Sequence, residues 1–233
     1  MSKVEYSSAL IVGAGAGLSA SLARLLAKNG IKVALAARST GDLAPLTRET
    51  GAKAYECDAV KAADVAALFE AVAKDQGEPD VVVYNASYRA RGPITELNPP
   101  DVEKALMVSA FGGFLVAQEA AKRMVPKGKG AILFTGASAS VKGYAQSAPF
   151  AMGKFALRGL AQSMARELAP AGIHVAHFVI DGGIRSANRA EPADRPDSML
   201  DPDAIAESYL QVLMQPRSAW SWELELRPWV EKF

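Results

Sequence analysis

The stretch Leu10-Ile11-Val12-Gly13-Ala14-Gly15-Ala16-Gly17-Leu18-Ser19 constrains the fold more than any other part of the chain. The apolar run at 9–12 reads as a buried strand, and residues 18–27 carry helical periodicity. Between them, glycines fall at alternate positions, so the strand passes into the helix through a turn with almost no side-chain bulk. Glycine allows a sharp turn and a close approach to a ligand, and a helix N-terminus offers free N–H groups and a positive dipole end. This order of strand, glycine turn and helix points to a dinucleotide pyrophosphate site. The alternative is a tight turn that binds nothing.

Further along, Asn29-Gly30 stops the first helix and residues 31–36 form a second apolar strand. Residues 52–56, 81–84, 131–135 and 174–180 read as strands, and 220–226 alternates as a last one. Helices are expected at about 42–50, with Pro45 in the first turn and Gly51 closing it, and at 62–75. Others are expected at 98–125, at 150–169, and from an Asp201-Pro202 cap to about 214. Strands and helices alternating at this spacing predict one doubly wound α/β domain over residues 1–233, with a parallel seven-stranded sheet and helices on both faces. Residues 187–202 hold Pro192, Pro196 and Pro202 among charges, the composition of a mobile loop. In such sheets ligands bind beyond the carboxyl ends of the strands. Gly13, Arg38, Asp58, Asn85, Ser138 and Asp181, each following a strand, should therefore line one crevice.

Composition excludes several function classes. A net charge of +1 over 233 residues makes no electrostatic case for nucleic acid or an anionic membrane. The single cysteine, Cys57, cannot form an internal disulfide, which fits a reducing compartment. The opening Met1-Ser2-Lys3-Val4-Glu5-Tyr6 carries no apolar signal region, and the apolar runs are too short to span a bilayer. A cytoplasmic location is expected. His174 and His177, three apart on a strand, point to opposite faces and make poor joint metal ligands, so no metal site is expected. Trp220, Trp222 and Trp229 read as core or subunit contacts.

From about residue 7 to 186 these motifs resemble the short-chain dehydrogenase/reductase family. Its T-G-x-x-x-G-x-G opening appears here with Val12 for the threonine and Ser19 for the last glycine, and its N-N-A-G motif appears as Tyr84-Asn85-Ala86-Ser87. The stretches from Lys154 to Leu160 and from Arg166 to Val175 look like the family's second long helix and sixth strand. The resemblance implies cofactor contacts at Gly13, Gly15, Ala16, Gly17, Leu18, Arg38, Asp58, Ala59, Asn85, Ala86, Lys154, Gly182 and Ile184. Cofactor choice follows from the second strand's end. NAD sites present a carboxylate to the ribose, whereas NADP sites present an arginine to the 2′-phosphate. There is no carboxylate at Ala37, and Arg38 follows it, so NADP(H) is expected over NAD(H).

The family's chemistry uses a Tyr and a Lys one helical turn apart, a Ser, and an Asn on the preceding helix. Here the first pair reads Phe150 and Lys154, the serine position falls on Ala137 with Ser138 beside it, and the asparagine position falls on Ser109. Phe150 has no hydroxyl and cannot pass a proton. Tyr144, Tyr88 and Asp181 are candidates to replace it, and Lys154 with Ser138 carries the remaining catalytic expectation. The expected function is an NADP-dependent oxidoreductase acting on a small-molecule carbonyl or alcohol. An NADP-binding regulator or scaffold that has lost the reaction is the alternative, and a cofactor-free dehalogenase- or lyase-like activity is a third. Family habit implies a homodimer or homotetramer paired through residues near 101–125 and 150–169.

Overall fold

Every residue of β1 (Ser8–Val12) is buried, so this strand has no solvated face and must lie inside a sheet covered on both sides. The computed structural model describes residues 6–232, and the opening segment at 1–5, read above as free of a signal region, lies outside the described residues. The other strands are β2 (Lys32–Ala37), β3 (Lys53–Glu56), β4 (Val81–Tyr84), β5 (Gly130–Thr135), β6 (Ile173–Ile180) and β7 (Glu223–Leu226). They form one seven-stranded sheet in the order β3-β2-β1-β4-β5-β6-β7, with every neighbouring pair parallel. Strand order reverses between β1 and β4, and this opens a crevice at their carboxyl ends.

Alternate residues of the central strands feed two cores. Ile11, Leu35, Val83, Leu133 and Phe178 pack with α1 (Leu18–Lys28) and α7 (Pro202–Leu213). Leu10, Val82, Tyr84, Ile132 and Val175 pack on the opposite face with α3 (Ala62–Gln76), α5 (Gly112–Met124) and α6 (Ala148–Leu168). Asp201 Oδ1 accepts from Asp203 N at 2.9 Å and caps α7, as its position before Pro202 predicts.

The expected helix at 98–125 is divided. It runs as α4 (Pro99–Leu106), a π-helical segment Met107–Phe111, and α5. Tyr84 causes the change: its hydroxyl donates to Val108 O, and a Cβ at Gly112 would stand 2.5 Å from that hydroxyl. The helix widens where a strand side chain takes one of its carbonyls. The expected helix at 42–50 begins as a 3₁₀ turn, Gly41–Leu43, before α2 (Ala44–Thr50). The last strand is shorter than 220–226, because Gln215 Oε1 accepts from Ser221 N at 2.7 Å and Trp220 turns to stack on His174 at 4.6 Å. Trp229 is 69% exposed and joins no core, so of its two expected roles only the subunit contact is open to it. Among the described residues no helix is long and apolar enough to cross a membrane.

Gly13 marks where β1 leaves the sheet. Its φ is +86°, and a Cβ there would lie 2.3 Å from Ala86 N and 2.5 Å from Ala86 Cα. Both strain and overlap oppose any side chain, so Gly13→Ala should lower stability by at least about 2 kcal/mol in urea unfolding. A loss below about 0.5 kcal/mol, the usual range for surface changes, would contradict this packing.

Candidate active site

The loop after β1 is fastened on three sides. Gly13 N and Ala14 N donate to Ala36 O at 2.9 and 3.0 Å, which ties the loop to β2. Asn85 N donates to Val12 O at 2.8 Å. Ser19 Oγ, on the first turn of α1, donates to Gly13 O at 3.0 Å and accepts from Asn85 Nδ2 at 2.7 Å. Ser19, a departure from the family's glycine pattern, thus joins loop, helix and fourth strand. A Cβ at Gly15 or Gly17 would meet nothing within 4 Å, so this side of the loop faces open space. The α1 N-terminus has no side-chain cap and no acidic residue in its first turn, which leaves its dipole end available to an anion.

Two clefts meet under this loop. The first, of 650 Å³, is lined by Gly13, Ala37, Arg38, Ser39, Cys57, Asp58, Ala59, Asn85, Ala86 and Tyr88, among others. The second, of 710 Å³, is lined by residues that include Leu18, Asn85, Thr135, Ser138, Tyr144, Phe150, Asp181, Gly182 and Ile184. Asn85 belongs to both. Of the six residues expected in one crevice, Gly13, Arg38 and Asp58 line the first lobe and Ser138 and Asp181 the second. Gly15, Ala16 and Gly17 are on neither wall. Burial pushes the Cys57 thiol up to about 11, so it stays protonated at neutral pH.

Lys154 does not line the cleft either. It is 3% exposed, and its Nζ donates to Thr135 O at 2.7 Å, 5.8 Å from the centre of the Phe150 ring one helical turn earlier. Burial draws its pKa down to about 8. Ser109 is fully buried in the π-helical segment with no partner for Oγ, and it lies beneath Gly153, where a Cβ would be 2.8 Å from Ser109 Cβ. It therefore faces α6 and lines neither cleft.

The three candidate replacements for a phenol differ in environment. The Tyr88 hydroxyl donates to Asp101 Oδ1 at 2.8 Å, and that bond raises its pKa. The Asp181 carboxylate lies 3.1 Å from Lys142 Nζ and 3.3 Å from Arg227. Tyr144 is 47% exposed on the wall of the second cleft, with no hydroxyl partner among the described residues. His177 is buried with its ring beside Gly136, bonded through Nδ1 to Glu223 at 3.0 Å, and drawn down to about 4 by burial.

Sequence reading missed Ser39, Thr135 and three arginines of the second cleft, Arg89, Arg91 and Arg189. The run Tyr88-Arg89-Ala90-Arg91, soon after β4 ends at Tyr84, carried a usable signal, since topology places ligands near the carboxyl ends of the strands. Arg189 sits on a long loop whose course the sequence does not fix.

A family model described as short chain dehydrogenase matches residues 7–195. The 3-oxoacyl-[acyl-carrier-protein] reductase MabA of Mycobacterium bovis is 33% identical over 177 residues, 76% of this chain and 69% of that protein. D-threitol dehydrogenase of Mycolicibacterium smegmatis is 29% identical over 172 residues, 72% of this chain and 66% of its own length. The matched stretch thus spans about two thirds of these curated relatives. Among solved structures, a short-chain dehydrogenase from Rhodopseudomonas palustris is 35% identical with a TM-score of 0.82, over 96% of this chain and 99% of that one. A metagenomic short-chain oxidoreductase in complex with NADP is 27% identical with a TM-score of 0.83, over 95% and 97%.

The buried lysine gives a direct check. An NMR titration of the Lys154 side chain should show a midpoint near 8, whereas the ordinary lysine value of 10.5 would contradict its burial. Because the folded pKa lies below the unfolded one, the unfolded chain binds more protons between the two values. This group's contribution to stability should therefore rise as pH climbs through that window.

Proposed function

Because the chain belongs to the short-chain dehydrogenase family, we propose that it is an NADP(H)-dependent oxidoreductase acting on a small-molecule carbonyl or alcohol. The observation that carries this reading is the pair of clefts joined at Asn85 beneath the glycine loop, one edged by Arg38 and the other floored by Phe150 and Thr135 over Lys154.

The residues present fit such a cofactor. The open side of Gly15 and Gly17, with the uncapped start of α1, offers space and N–H groups to a pyrophosphate. Asp58 and Ala59 flank the first cleft in the place suited to an adenine. Preference for NADP(H) is supported by the end of β2, where Ala37 supplies no carboxylate and Arg38 and Ser39 line the wall. A guanidinium can pair with a phosphate through two parallel bonds. The complex of a related oxidoreductase with NADP agrees with this preference. When bound, the nicotinamide supplies or accepts the hydride.

This chain must then handle the proton. Phe150 stands where the family places its tyrosine and has no exchangeable proton. Tyr88 is committed to Asp101, and Asp181 to two cations, which leaves Tyr144 as the phenol free to serve the second cleft. We assign it the proton, with Ser138 orienting the substrate oxygen and Lys154 supporting the floor of the cleft from beneath through Thr135 O. The relatives compared carry the names of dehydrogenases and reductases, which gives no support to a purely regulatory role.

A carbonyl panel with NADPH should show oxidation by the parent protein, abolished in Lys154→Met and reduced at least about tenfold in kcat, with KM little changed, in Tyr144→Phe. Arg38→Ala should weaken NADPH binding on the order of 10- to 100-fold and leave NADH nearly unchanged. Tight NADPH binding with silence across the panel would sink the enzymatic reading, and more so if Phe150→Tyr with Ala137→Ser created turnover. Equal losses for both cofactors in Arg38→Ala would sink the NADP preference.

A further inference from the structure

Three guanidinium groups converge on the second cleft. Arg89 and Arg91 lie on the loop after β4, and Gly92 N donates to Gln146 O at 3.1 Å, tying this loop to the one that leads into α6. Arg189 lies on the loop after β6, where Ser186 and Arg189 exchange two backbone hydrogen bonds of 3.0 Å. Its guanidinium reaches over Gly183, 3.5 Å from where a Cβ would stand. The Arg89 guanidinium stacks 4.7 Å above the centre of the Phe150 ring. A cation held over an aromatic face is oriented as well as attracted.

This concentration of charge has no counter-ion. Arg24, Arg123, Arg158, Arg185 and Arg227 each lie beside a carboxylate. Among the described residues Arg89, Arg91 and Arg189 do not. Burial, with the charges of Arg91 and Arg189, lowers the pKa of Arg89, so the groups are near enough to repel. The cleft's own carboxylates do not neutralise them: Asp181 is engaged by Lys142 and Arg227, and Glu231 forms no ion pair. The cofactor phosphates are already accounted for at the start of α1 and at Arg38, across Asn85 in the other lobe.

The geometry points to an oxyanion subsite, in which Arg89, Arg91 and Arg189 receive a carboxylate or phosphate group of the substrate and Phe150 is the platform that holds Arg89. Calling that ligand a substrate rests on the oxidoreductase reading, which this inference sharpens to anionic carbonyls or alcohols. The subsite also gives Phe150 a positive role, since an aromatic ring without a hydroxyl can carry a guanidinium on its face. The planar fork of arginine suits both anions, and a lysine would not replace it.

The test titrates the full chain, with and without saturating NADPH, with glutarate and separately with inorganic phosphate at fixed low ionic strength. Heat and the arginine Nε–H signals are read together. At least one anion should saturate and shift the Arg89 and Arg189 signals. Arg89→Gln and Arg189→Gln should each weaken it about fivefold or more, while NADPH affinity stays within about twofold. Phe150→Leu, which keeps an apolar floor without a ring face, should also weaken the anion. Saturation by glutarate alone assigns a carboxylate, by phosphate alone a phosphate ester, and either supports the subsite. Saturation by neither anion, or equal binding in the arginine variants, overturns it. So does a parallel loss of NADPH affinity, which would return the arginines to the cofactor. Failure to bind NADPH while an anion saturates would instead strike the oxidoreductase reading and leave the oxyanion site standing.

Discussion

The ends of β1 and β4 approach so closely that a single methyl group at Gly13 would overlap the backbone of Ala86. That contact sets the geometry of the whole ligand side of the sheet. It forces a glycine with positive φ, and Ser19 and Asn85 then lock the turn by bonding to its carbonyl and to each other. Helix α1 can start only where this turn releases the chain. The point of closest approach is also the place where strand order reverses, so the same residues that fasten the fold divide the crevice into its two lobes.

The lobes differ in what they ask of a ligand. One is narrow in chemistry: an arginine and a serine beside a strand end, an aspartate, and small residues around them. The other is dominated by Phe150, with a buried lysine beneath it and arginines around it. Lys154 depends on burial for its lowered pKa and on Thr135 O for a partner. Both cations lie against the Phe150 ring, Arg89 at 4.7 Å and Lys154 at 5.8 Å from its centre.

The strands were legible because they are apolar runs in a parallel sheet, and the glycine turn because its spacing leaves few alternatives. Arg38 and Asp58 were legible because topology puts every residue after a strand at the ligand edge. The π-helical segment was not legible. It arises from the Tyr84 hydroxyl reaching Val108 O across the core, and no periodicity within 98–125 records a contact made from another element. Ser19 was read only as a departure from a pattern, since its two hydrogen bonds exist only after β4 has docked beside β1. The oxyanion cluster was hidden for a similar reason: Arg189 joins Arg89 and Arg91 from a loop whose path depends on the bonds at Ser186 and on the bridge from Ile184 to Leu200.

Hydrogen exchange with and without NADPH tests the joined crevice most directly, because it reports each backbone segment and needs no substrate. Protection on binding is expected together at the turn from Gly13 to Leu18, at Arg38 and Ser39, at Asp58 to Val60, and at Asn85 to Tyr88, the segments that edge the glycine loop and the first cleft. No protection at these segments, or protection confined to other parts of the chain, would contradict a nucleotide seat built around Gly13.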